Sequence, residues 1–129
     1  MAGTYLCDTN AAIALIKGET RPLELIDTAD EVFASTVTVG ELYFGAEKSA
    51  KVKNNRATVD KFIESVEVLL CDVNTSRHYG KIKQQLKSKG RPIPDNDIWI
   101  AALAIQHDLT LLTRDAHFAE VAGLAIQGW

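Results

Sequence analysis

The chain has 129 residues, 47% of them hydrophobic and 24% charged, and carries a formal charge of −3 at neutral pH. That length suits one domain with a proper core, the balance is that of a globular rather than a disordered chain, and no apolar run is long enough to span a bilayer. The N-terminus lacks a basic stretch leading into an apolar one, so the expected location is the cytoplasm.

The segment "TYLCD" at 4–8 reads as a short buried strand, and "TNAAIALIKG" reads as a helix closed by Gly18. "EVFAS" at 31–35 is a second strand. "TVTVGELYFGAEKSA" and "KNNRATVDKFIESV" are helical in pattern, the latter with Val59, Phe62, Ile63 and Val66 on one face. A third strand, "EVLLCD" at 67–72, precedes the basic helix "NTSRHYGKIKQQLKSKG", which ends at Gly90. After Pro92 and Pro94 a helix begins that is apolar almost all the way round from Ile98 to Ile105. Strand "LTLLT" at 109–113, a short helix at "AHFAEV" and a last strand within "LAIQGW" complete the series. Strands alternating with helices predict the α/β class, a central, mostly parallel twisted sheet with helices on both faces. No linker, repeat or low-complexity segment divides the chain. Cys7 and Cys71 lie in apolar stretches without metal or redox spacing and read as small buried hydrophobes.

Acids fall where such a fold binds ligands, beyond the carboxyl ends of the strands. Asp8 ends the first strand, Asp72 ends the third, and Asp115 lies two residues past "LTLLT". Asp95 and Asp97 stand at the head of the apolar helix, where either Asp95 or Asn96 can serve as the N-cap. Glu41 sits inside a largely apolar helical stretch and needs a partner. Carboxylates that converge without matching bases raise one another's pKa unless a cation sits among them, and such hard oxygen donors suit Mg²⁺ or Mn²⁺. That chemistry points to metal-dependent hydrolysis of phosphodiesters. His78, His107 and His117 are scattered and read as surface or capping groups. Spacing alone does not choose among the acids, because "CDTN" at 7–10 and "CDVN" at 71–74 are near copies.

Charge is unevenly spread. Residues 48–91 hold eleven of the fourteen basic residues and four acids, a segment of about +7 on an acidic chain. Arg77, Lys81, Lys83, Lys87, Lys89 and Arg91 are the candidates there for a phosphate-binding face, with Arg114 beside Asp115 a further one.

"YLCDTN", "STVTVGELYFGAEKS", "GRPIPDNDIWIAALA", "LLTRDAHF" and "GLAIQGW" occur in an order that resembles the PIN-domain ribonucleases, specifically the VapC toxins of toxin–antitoxin pairs. The resemblance runs from about residue 5 to 129, and implies a single PIN domain over 1–129. By position it implies catalytic and metal-binding roles for Asp8, Glu41, Asp97 and Asp115, with Asp8 and Asp97 the principal ligands of Mg²⁺ or Mn²⁺. Asn10 and Thr113 become supporting donors, while Asp95 and Asp72 match no catalytic position. The implied activity is endoribonuclease cleavage of structured RNA, often tRNA, that leaves a 5′-phosphate and a 3′-hydroxyl. The implied partners are a second copy in a homodimer and a VapB-type antitoxin that covers the acidic groove. Tyr43 and Trp99 are candidates either for stacking on unpaired bases or for core packing.

Three rival readings draw on the same chain. A phosphoacceptor receiver-like domain would be phosphorylated on Asp72 and would use Thr113 as its switch hydroxyl, but Asp8 is followed by Thr9 and no Lys occurs after Lys89. A phosphatase of the haloacid dehalogenase type would want an acid where Asn10 stands. A catalytically silent binding protein of the same fold is separated from an enzyme only by experiment, since all four acids are present.

Overall fold

The computed structural model describes residues 3–129, so residues 1 and 2 of the expected domain lie outside the described residues. Five strands, β1 (Thr4–Cys7), β2 (Glu31–Ser35), β3 (Glu67–Leu69), β4 (Thr110–Leu112) and β5 (Ile126–Gln127), form a sheet of order β3-β2-β1-β4-β5. Every neighbouring pair is parallel, which makes the observed sheet wholly rather than mostly parallel. Helices α1 (Thr9–Ile16), α2 (Thr20–Asp27), α3 (Thr36–Glu47), α4 (Val52–Glu64), α5 (Val73–Ser88) and α6 (Asp95–Gln106) connect the strands, and a 3-10 helix at Ala116–Glu120 follows β4.

Alternation along the strands builds two cores from one sheet. Leu6 and Leu111 point to one face, where they join Ile82 and Leu86 of α5, the apolar run of α6, and Phe118. Cys7, Ala34 and Leu112 point to the other, against Ala11, Ala12 and Leu15 of α1, Leu42 of α3, and Val59 and Phe62 of α4. The run Ile100–Ala104 is completely buried because α6 lies between the sheet and α5, which explains its lack of a polar face. With helices on both faces, the expected α/β architecture holds.

Three local expectations are corrected. Residues 20–27, to which no element is assigned from sequence, form α2, with Pro22 tolerated in its first turn and fully buried. The N-cap of α6 is Pro94 rather than Asp95 or Asn96, so Asp95 is the first helical residue, exposed and 3.1 Å from Lys83 Nζ. Cys71 is exposed, because β3 stops at Leu69 and the chain there has already left the sheet, whereas Cys7 is buried and its thiol is pushed up to about 12 by that burial and by Asp8.

The near-copy words at 7–10 and 71–74 also separate. β3 is the outer strand, so Asp72 lies on the rim of the sheet and caps α5: its carboxylate accepts from the Thr75 amide at 3.0 Å, while its own amide donates to the Thr75 hydroxyl at 2.9 Å. Gln106 Nε2 donates to the same carboxylate at 3.0 Å, and these bonds hold Asp72 below the usual carboxylate range, the Thr75 amide first. An acid so occupied is a helix cap rather than a phosphoacceptor. The sheet order also differs from the 2-1-3-4-5 order of the receiver type.

Leu103 is completely buried among the α6 contacts, so Leu103→Ala is expected to lower unfolding stability by about 2–5 kcal/mol, read from urea denaturation, with the slope of the transition unchanged.

Candidate metal centre

The strand order reverses between β1 and β4, and an open α/β sheet has its crevice there. Asp8 follows the last residue of β1, and its amide donates to the Leu112 carbonyl at 3.2 Å, which ties it to the end of β4. It is also the N-cap of α1, with Oδ1 accepting from the Ala11 amide at 2.7 Å and Oδ2 from the Thr113 hydroxyl. Thr113 in turn accepts from the Asp115 amide at 3.0 Å, so one hydroxyl couples the two acids across adjacent strands.

Asp8 is 3% exposed, and its pKa is raised by that burial. The Thr113 hydroxyl and the Ala11 amide oppose the rise, and the charges of Asp97 and Asp115 add to it. Asp97 comes from the first turn of α6, where the helix dipole favours negative charge. Asp115 caps the 3-10 helix by accepting from the His117 amide at 3.2 Å. Three chain segments distant in sequence thus bring carboxylates to one place.

His117 lies among them, contrary to its reading as a surface or capping group. Its Nε2 is 3.0 Å from Asp97 Oδ2 and its Nδ1 is 2.9 Å from Asp115 Oδ1. One ligand atom from each of Asp97, Asp115 and His117 falls within 4.8 Å of the others. The sequence signal was the spacing in "RDAHF": a residue two after the capping acid of a 3-10 turn is carried back towards that acid.

Glu41 stands one step away. Its carboxylate accepts from the Thr9 hydroxyl at 2.7 Å, and that hydroxyl is also 3.3 Å from Thr38 Oγ1. The partner that Glu41 needed is therefore the residue after Asp8. Asn10 is exposed on α1, and its side chain makes no hydrogen bond to the described residues. Trp99 stacks on Tyr79 with ring centroids 4.1 Å apart, and the Tyr43 hydroxyl bonds Asp60, so both aromatics are engaged within the chain.

Of the basic candidates, two line hollows that include members of the Asp97, Asp115 and His117 cluster. Arg114 lines one hollow with Thr113, Asp115 and Trp129, lying 5.1 Å over the Trp129 ring and 3.2 Å from Glu19. Arg91 lines a second, of about 380 Å³, with Ile93, His117 and Glu120. Lys83 pairs with Asp95 and Lys89 with Glu120, while Arg77, Lys81 and Lys87 are exposed on α5.

The site's donor set fits a hard divalent cation. Oxygen donors predominate, carboxylate lone pairs remain open, and the mutual repulsion expressed at Asp8 calls for positive charge.

Comparison with known proteins adds a family to this geometry. Residues 5–124 match the model of the PIN domain. The chain is 36% identical to the Haemophilus influenzae protein named Ribonuclease VapC2, and 33% identical to the Salmonella typhimurium protein named tRNA(fMet)-specific endonuclease VapC, with 97% of each chain covered in both cases. The crystal structure of VapBC2 from Rickettsia felis, bound to a DNA fragment from its promoter, contains a chain that superposes with a TM-score of 0.90 at 28% identity, with 98% of both chains covered.

The raised pKa of Asp8 has a consequence for the metal-free protein. Below the ordinary value of 3.8 the carboxyl is protonated in both states and costs nothing; as pH rises through the folded value its ionisation penalises the folded state. Asp8→Asn is expected to melt at a higher temperature than the wild type at pH 7 in the presence of EDTA, with the gain vanishing as pH falls towards 3.8, read by calorimetry.

Proposed function

The chain belongs to the PIN-domain family, in its VapC ribonuclease branch, and on that premise we propose that it is an endoribonuclease toxin held in check by a VapB-type antitoxin. The observation that carries the reading is the meeting of Asp97, Asp115 and His117 at the crevice between β1 and β4, with Asp8 near enough for the charges of Asp97 and Asp115 to raise its pKa. We assign Asp8 and Asp97 as the principal ligands of Mg²⁺ or Mn²⁺, and give Asp115 and Glu41 the completion of the site, directly or through water. When bound, the cation supplies an activated water and neutralises charge on the phosphoryl group under in-line attack.

The chain's own residues do the rest. The Ala11 amide and Thr113 hydroxyl fix the Asp8 carboxylate in one orientation while leaving lone pairs free, which supports Thr113 as a positioning donor. Glu41, held by Thr9, orients the incoming water. Attack at phosphorus breaks the bond to the 3′-oxygen and leaves a 5′-phosphate and a 3′-hydroxyl. Arg91 and Arg114, which line hollows with His117 and Asp115 respectively, grip the phosphates flanking the scissile one, and the α5 cations extend that grip. We give Asn10, exposed two residues after Asp8, a bond to the substrate rather than to the acids.

A structured RNA cut at an unpaired loop is the proposed substrate. The Salmonella relative's name supports tRNA. For the antitoxin, a hollow of about 350 Å³ lined by Ile13, Ile16, Leu42, Ala46 and Val59 also takes in Glu41 and Lys17, which suits an apolar segment carrying a basic side chain to Glu41. A homodimer of single PIN domains, working in the cytoplasm where such RNA is found, completes the proposal. Among the described residues no helix is long and apolar enough to cross a membrane.

Purified, antitoxin-free protein incubated with total cellular RNA is expected to give a few discrete new 5′ ends on sequencing, with Mg²⁺ or Mn²⁺ but not with EDTA. Asp97→Asn should reduce their yield at least about a hundredfold while retaining the wild-type circular dichroism and antitoxin binding. Equal cutting by both proteins, or cutting that survives EDTA, contradicts the proposal.

A further inference from the structure

The expected ligand set of this site is made of oxygen alone, yet an imidazole stands in the middle of it. His117 presents both ring nitrogens to carboxylates, Nε2 to Asp97 at 3.0 Å and Nδ1 to Asp115 at 2.9 Å. The Phe118 ring lies beside it, with centroids 5.4 Å apart and planes tilted by 39°, and its backbone is held by the Asp115 cap, so the half-buried ring has contacts on several sides. A neutral imidazole has one N–H and one lone pair. The N–H can serve only one of the two carboxylates, and the other nitrogen then faces an oxygen acceptor at hydrogen-bond distance with nothing to share. A second proton on the ring, which lets both nitrogens donate, removes that opposition, and so does a metal cation between Nε2 and Asp97. Adjacent ligands of an octahedral ion, at 2.0–2.1 Å and right angles, stand about 2.8–3.0 Å apart, and the 3.0 Å between Nε2 and Asp97 Oδ2 lies at the upper end of that range.

We propose that His117 is a ligand of the metal centre, coordinating through Nε2 beside Asp97 while Nδ1–H donates to Asp115. This rests on the metal site assigned above and deepens it. Asp115 then acts partly through His117, fixing its tautomer as a carboxylate commonly does for a ligating histidine. The arrangement also carries a preference. A nitrogen ligand gains little with Mg²⁺, which favours oxygen, and more with first-row transition ions, so His117 tilts the centre towards Mn²⁺.

The test is pulsed electron paramagnetic resonance on Mn²⁺ bound to the purified chain. Nitrogen modulation from a directly bonded ¹⁴N is expected, changing to the ¹⁵N pattern when histidine is ¹⁵N-labelled and disappearing in His117→Gln. Calorimetric titration of the same variant should show Mn²⁺ binding weakened about tenfold and Mg²⁺ binding changed by less than about threefold. The labelled wild type gives an answer even if His117→Gln fails to fold. Mn²⁺ bound with no nitrogen modulation, and lost in Asp97→Asn, overturns the role of His117 and leaves the carboxylate site standing. Tighter binding of both ions by His117→Gln also overturns it, marking His117 as a competitor for the acids. No Mn²⁺ binding by the wild type removes the metal site itself, and this proposal with it.

Discussion

A carboxylate that is 3% exposed, within reach of two more, is an expensive thing to fold, and Asp8 is held in that position from several sides. Its backbone is tied to β4, its two oxygens accept from Ala11 and Thr113, and α1 begins on it. None of these bonds supplies positive charge. They orient the acid and meet part of its desolvation, while the repulsion from Asp97 and Asp115 stays. A structure that pays for such an arrangement in stability keeps it because something else binds there.

The sheet makes the arrangement possible. With β1 central and β4 beside it, the residues that follow the two strands emerge at the same edge, and the chain from β1 turns into α1 on one face while α6 feeds β4 from the other. Asp97 needs the break at Pro92 and Pro94 to sit in a first turn, and Asp115 needs the short 3-10 turn to bring His117 back over it. A two-strand difference in position separates the near-copy words: Asp72 follows the edge strand β3, and there an almost identical word makes a capping box.

Much of this was legible from the residues. The alternation of apolar strands and amphipathic helices gave the α/β class, and Asp8, Asp97 and Asp115 could be placed at strand or helix ends by counting. The choice between Asp8 and Asp72 was not, because it depends on strand order, a long-range property that two short words cannot carry; resemblance made that choice, and the fold sets Asp8 beside the β1–β4 crevice and Asp72 on the rim. Helix α2 escaped notice because "TRPLELID" is short and contains Pro22, although Pro is acceptable in a first turn. Cys71 was misplaced by assuming that β3 runs as far as its apolar letters do. His117 was misjudged for a different reason: a single histidine has no period, and only the 3-10 turn and the position of α6 put it between two acids.

The central claim is that the carboxylates at the β1–β4 crevice are folded at a cost which a divalent cation relieves, and the most direct test is the melting temperature of the purified chain against Mg²⁺ and Mn²⁺ concentration. A site bound only in the folded state stabilises by about 2.7 kcal/mol at a hundredfold excess over Kd, on the order of 10 °C for a chain of this size. A rise of that order, starting near Kd and growing with the logarithm of ion concentration, is expected for the wild type, with little or none for Asp8→Asn or Asp97→Asn. An equal rise in all three proteins, or none in the wild type, would contradict it.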